Sequence, residues 1–117
     1  MIFLNINREN KISDSSNWIE GLGQLKEFHL NHNALTKLSP QIGNLSSLKV
    51  LDLRNNYISE LPKTIGGLTN LVSLSLEHNK SLIALPAEIG RLTMLHRLDL
   101  NENKLTSLPA GKGFRNR

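Results

Sequence analysis

Four stretches of this chain repeat one order of apolar and polar positions. They begin at Leu25, Leu48, Leu71 and Leu95, so the spacing is 23, 23 and 24 residues. A fixed period of this length marks a solenoid, in which each unit packs only on its neighbours. Within the unit that starts at Leu48, Leu51 and Leu53 alternate with Val50, Asp52 and Arg54. That period of two predicts a short strand with one face inward. Asn55-Asn56 then turns the chain, and Ile58 and Leu61 point back inside. Pro62 is expected to open a short helical turn, because its missing N–H would be unpaired at the first position anyway. Ile65, Gly66 and Leu68 complete the arc before the next strand begins at Leu71, with Gly66 permitting a close approach that a Cβ would hinder.

A crossover of roughly 18 residues between successive strands favours parallel pairing with a right-handed connection. The pattern therefore predicts an α/β repeat: a right-handed solenoid with one parallel sheet on its concave side and Pro- and Gly-containing arcs opposite. The inward columns read directly as Phe28, Leu51, Leu74, Leu98; Leu30, Leu53, Leu76, Leu100; Leu35, Ile58, Leu82, Leu105; and Leu38, Leu61, Leu85, Leu108. On the far arc come Ile42, Ile65, Ile89 and Leu45, Leu68, Leu92. One polar column runs among them: Asn33, Asn56, Asn79, Asn103. Where the chain leaves each strand its backbone groups need partners. An inward amide offers one acceptor oxygen and two donor hydrogens, enough to serve its own turn and the neighbouring coil.

The run from Leu48 to Leu68 closely resembles the leucine-rich repeat pattern L-x-x-L-x-L-x-x-N-x-L-x-x-L-P-x-x-I-G-x-L. The Leu-Pro with Ile-Gly combination is similar to the intracellular, Ras-associated subgroup of that family, and the resemblance implies a horseshoe arc that binds proteins on its concave strands, with signalling as the setting. The resemblance divides the chain into four repeats over 25–109 (25–47, 48–70, 71–94 and a partial 95–109), a degenerate repeat over 1–24, and a flexible basic tail over 110–117. The chain departs from the pattern in three places. Pro40 comes one position late, after Ser39. The third repeat holds one extra residue around Lys80-Ser81, which predicts a bulge beside the turn. The fourth fails after Pro109, with Lys112 and Arg115 where apolar residues belong.

Composition narrows the function. The chain has 117 residues, no cysteine and a net charge of +4. Disulfides and Cys-based metal sites are excluded. Lys112, Arg115 and Arg117 account for most of the charge, and without them the remainder carries +1. The apolar start at Met1 is broken by Asn5, Asn7 and Arg8, too short for a leader or a membrane span. Asn79 begins a glycosylation triplet yet belongs to the inward column, where a glycan would obstruct folding. These features predict a cytoplasmic protein without membrane attachment.

The outward positions carry the candidate chemistry: Glu27, His29, His32; Asp52, Arg54, Tyr57; Ser75, Glu77, His78; Arg97 and Asp99. With Lys80, Glu102 and Lys104 beside them the charges nearly cancel, five acidic against Arg54, Lys80, Arg97 and Lys104, and Tyr57 is the one aromatic, whereas nucleic-acid binding wants a basic stripe with stacking rings. No nucleic-acid partner is expected. His29, Asp52 and Ser75 share a row, but a nucleophile needs the histidine between it and the acid. His32 and His78 share a column at ~10 Å, two strand spacings apart, too far for one zinc. No catalytic residue, metal or cofactor is expected. The pattern fits a non-enzymatic module that binds another protein on the strand face, with Tyr57, Arg54, Arg97 and the His29/His32 pair as anchors, since aromatic and Arg side chains dominate such interfaces. The alternative is a targeting segment of a larger repeat enzyme, linked to a kinase or ligase.

Neither end shows an obvious polar cap, and an uncovered terminal strand exposes unpaired backbone groups. Three readings follow: a fragment of a longer array, which is the expectation, a cap improvised from Trp18 and Phe114, or end-to-end association; the first predicts association that grows with concentration. Sedimentation at rising concentration should show growing species; a strictly monomeric, cooperatively folding chain would refute it.

Overall fold

The computed structural model describes residues 3–5 and 21–106. Trp18, Leu108, Pro109, Phe114 and the basic tail lie outside those residues, as does most of the first, degenerate repeat.

Five strands form one parallel sheet in chain order: β1 Phe3–Asn5, β2 Glu27–His29, β3 Val50–Asp52, β4 Ser73–Ser75 and β5 Arg97–Asp99. Each is three residues long, so more of each repeat lies in the crossover than the alternation alone implied. Leu4, Phe28, Leu51, Leu74 and Leu98 stand side by side in register. The ladder continues past the strand ends: Leu30, Leu53 and Leu76 donate their N–H groups to the carbonyls of Asp52, Ser75 and Asp99 at 2.8, 2.9 and 2.8 Å. Opposite the sheet, Pro40–Asn44, Lys63–Gly67 and Ala87–Arg91 form single 3-10 turns that stack on one another.

Between these layers runs a narrow apolar column. Among the described residues, the inward leucines and isoleucines of the first three repeats are buried, most of them completely. Leu95, Leu100 and Leu105 of the fourth repeat are only half-buried against the column. Each buried aliphatic contributes about 1.5–3 kcal/mol, and similar apolar side chains at each level extend the column from coil to coil.

Two prolines resolve the reading of the arc. Pro62 and Pro86 sit one residue outside the 3-10 turn, in extended conformation with ψ near 150°, and not at its first position. Pro40, the one that comes late, takes that first position, while Ser39 before it accepts the Gln41 N–H at 3.1 Å. A 3-10 turn needs its N–H groups from the third residue on, so proline fits at either place. The neighbouring glycines serve close packing: a Cβ on Gly43 would overlap the Thr64 carbonyl oxygen, and one on Gly67 would meet the Gly43 carbonyl.

The asparagine column is a hydrogen-bonded ladder. Asn56 Oδ1 accepts the Leu35 N–H at 3.1 Å, while its Nδ2 donates to the Leu30 and Leu53 carbonyls at 3.0 and 3.1 Å. Asn79 repeats the scheme one coil on, accepting from Ile58 and donating to Leu53 and Leu76 at 3.0, 2.9 and 2.9 Å. The extra residue of the third repeat changes the next rung. Leu82 N–H closes a turn onto the Asn79 carbonyl at 2.9 Å, and Asn103 Oδ1 accepts from Asn79 itself at 3.0 Å. The predicted bulge is thus a turn at Lys80-Ser81.

Asn56→Ala isolates the rung. The Leu30 and Leu53 carbonyls keep donors from Asn33 and Asn79, but the buried Leu35 N–H loses its partner. An orphaned donor costs ~1–3 kcal/mol and each lost bond ~1. Denaturant unfolding should register a loss of about 3 kcal/mol, and a smaller loss for Asn103→Ala, whose side chain is half-buried.

Candidate functional site

The sheet register sets the rows of the exposed face. Glu27, Val50, Ser73 and Arg97 form one row; His29, Asp52, Ser75 and Asp99 form the next, with Asn5 of β1 beside His29. Arg54 and Glu77 follow at the strand ends, and His32, Tyr57 and His78 lie in the turns beyond. All eleven positions named from the strands and their turns therefore lie on one face and its margin.

Within that face the residues are not equivalent. Asp52 points outward but is covered, only 6% exposed. Its Oδ1 accepts from Arg54 Nε at 2.9 Å and from the Arg54 backbone N–H at 3.2 Å; its Oδ2 accepts from Arg54 Nη2 at 3.0 Å and Asn31 Nδ2 at 2.9 Å. Burial pushes the Asp52 carboxyl up, but these hydrogen bonds outweigh burial and hold it below the usual carboxylate range. The same contacts raise the Arg54 guanidinium above its ordinary value. His29 lies between two acids, with Nδ1 3.4 Å from Asp52 Oδ2 and Nε2 3.2 Å from Glu27 Oε1, and its ring rests against Phe3 with centroids 4.9 Å apart. The middle of the face is an interlocked polar cluster that stiffens the floor.

Ser75 Oγ is shielded from solvent and makes no hydrogen bond. The register puts Asp52 between it and His29, so the imidazole stands about two strand spacings away, ~10 Å. That is the arrangement of a polar floor and not of a base poised on a nucleophile. Among the described residues no three of His, Cys, Asp or Glu gather within reach of a metal ion, and no helix is long and apolar enough to cross a membrane.

The turns hold what the strand alternation misses. His32, Asn55, His78 and Glu102 occupy equivalent positions and all have φ between 57° and 63°. One left-handed residue per coil swings the chain out of the strand and aims the ladder asparagine inward. Asn and His are enriched in this conformation, so the Asn55 and His pattern at one position of the period was a usable signal. A groove of about 580 Å³ runs along these turns, lined by His32, Asn33, Ala34, Asn55, Asn56, Tyr57, His78 and Lys80. Tyr57 stands 64% exposed in it. The hollow exists because the residue after the ladder asparagine differs between coils: small Ala34, then large Tyr57, then Lys80. Periodicity shows which positions face out, but not that these three leave a cavity.

Asp52→Asn tests the floor. A carboxyl whose folded pKa is depressed adds stability that is full above the unfolded value, about 3.9, and is lost as pH falls through the lower folded one. At neutral pH the variant should lose about 1–2 kcal/mol, modest because Arg54 is half-exposed. Its unfolding free energy should also fall less steeply than the parent's between neutral pH and pH about 2.

The family match and one solved structure agree with this architecture. The leucine-rich repeat region family matches residues 3–107. No curated protein matches the sequence. Among solved structures, a leucine-rich repeat protein of Leptospira interrogans is similar at 33% identity and a TM-score of 0.71, over 91% of this chain and 32% of that one. The chain thus spans about a third of that protein's length. The leucine-rich repeat domain of the type III effector XopL is similar at 18% identity and a TM-score of 0.49, over 94% of this chain and 64% of that domain. With the family match across nearly its whole length, a single parallel sheet, an asparagine ladder and stacked 3-10 arcs, the chain belongs to the leucine-rich repeat family.

Proposed function

We propose that this chain is a non-enzymatic protein-interaction module that holds a partner protein across its concave sheet face, in an intracellular signalling setting of the kind associated with the Ras-group repeats it resembles. One observation carries the reading: the inward columns are nearly uniform from coil to coil, while the outward positions beside them differ at each level. A side chain that only solubilised the sheet would not need an exposed tyrosine beside a rigid, cross-linked polar floor. Rigid floors favour binding, because little ordering entropy is lost on docking. Arg97 is exposed in β5 and Tyr57 in the turn, so both can be buried by a guest. Arg54 is partly committed to Asp52, which makes it a support for the face as well as a contact. The alternative, a targeting segment of a larger repeat enzyme, would use the same surface in the same way.

A photo-crosslinking residue at Tyr57 should capture the partner, and one at Asn70, exposed on the loop before β4, should not. Tyr57→Ala with Arg97→Ala should lower capture from a second face position at least about tenfold, because anchor residues carry ~2 kcal/mol or more each, while circular dichroism stays unchanged. Equal capture from Asn70, or undiminished capture by the double variant, would place the interface elsewhere.

A further inference from the structure

The turn groove differs in chemistry from the sheet face beside it. Its chargeable liners are His32, His78 and Lys80, and no carboxylate lines it. The adjoining strands and their ends carry Glu27, Asp52, Glu77 and Asp99. Two acids approach it from outside, Glu77 Oε2 at 4.0 Å and Glu102 Oε1 at 3.9 Å, both directed at His78. Among the described residues no carboxylate lies within ion-pairing range of Lys80. Lys80 follows the ladder asparagine as Tyr57 and Ala34 do, and the third repeat's extra residue makes the Lys80-Ser81 turn there. Asn55 Nδ2 stands 3.5 Å from His32 Nε2, so an amide and an imidazole meet at the groove's wall. The Tyr57 ring, largely exposed, offers an apolar surface beside these donors.

From this juxtaposition we infer that the groove seats a short acidic segment of the partner, a carboxylate on Lys80 with a neighbouring apolar side chain against Tyr57. The inference rests on the concave-face reading and names the chemistry of the partner at its margin. Charge complementarity selects an acidic peptide over a basic one, because like charges brought together repel while opposite ones fix register. Ala34 leaves the room: its small side chain beside Tyr57 opens the space that a larger residue would fill. A volume of about 580 Å³ accommodates a few side chains and not a folded domain.

The test is a titration of the isotopically labelled full chain, followed by amide NMR shifts, with two blocked tetrapeptides: alternating leucine and glutamate, and alternating leucine and lysine. The acidic peptide should move His32, Asn55, Tyr57, His78 and Lys80 together. Lys80→Glu should weaken it at least about tenfold, and Tyr57→Ala should weaken it with no change in fold. Raising salt should weaken it as well. Equal binding of the lysine peptide, shifts centred on Glu27 and Asp99, or indifference to Lys80→Glu would overturn the assignment. The concave-face reading stands or falls separately: Lys80→Glu that leaves crosslinking at Tyr57 intact refutes the acidic-segment assignment alone, whereas loss of crosslinking from Tyr57 in the parent chain refutes the wider one.

Discussion

Every coil of this protein must leave its strand and turn through the interior edge, where water cannot reach the backbone. The asparagine ladder answers that requirement. Each amide closes its own turn and reaches the coil before it, so a polar rung satisfies backbone groups in two repeats at once. A buried donor without a partner costs more than a single hydrogen bond returns, which makes the ladder a condition for stacking and not an ornament on it. The apolar column supplies most of the favourable energy, but leucines alone would tolerate sliding between coils. Directed hydrogen bonds from rung to rung hold them in register.

Register in turn creates the face. Parallel strands three residues long place one row of outward side chains beside the next, at strand spacing. At that distance neighbouring polar groups cannot act independently. Asp52 is drawn into bonds with Arg54 and Asn31, and His29 is held between Glu27 and Asp52. A flat polar face thereby becomes a stiff one with an uneven charge pattern, its middle cross-linked internally and its turn groove lined by His32, His78 and Lys80 without a carboxylate. Stiffness lowers the entropy lost on docking, and uneven charge discriminates between guests.

The departures from the repeat are where one coil's surface comes to differ from the next. The late Pro40 is absorbed by the arc, because a 3-10 turn accepts proline at its first position as well as just before it. The extra residue at Lys80-Ser81 is not absorbed. It adds a turn beside the groove that Lys80 lines, and moves the next rung back to Asn79. An insertion in an array of identical units is felt only by its neighbours, so the fold survives it while the surface changes.

Period and alternation were enough to determine the solenoid, the parallel sheet, the inward columns and the structural role of the asparagines, because each of these follows from one coil repeating at constant length. The outward positions were legible for the same reason, since alternation sorts side chains by face. What the tertiary structure alone decided is how those outward groups meet: that Asp52 is buried by side chains from its own and the adjacent coil, that His32, Asn55, His78 and Glu102 share a left-handed backbone, and that Ala34, Tyr57 and Lys80 leave a groove between them. Those are contacts between residues some twenty positions apart, set by the size and reach of particular side chains across neighbouring coils, and a repeat pattern that records only polar and apolar carries no information about either.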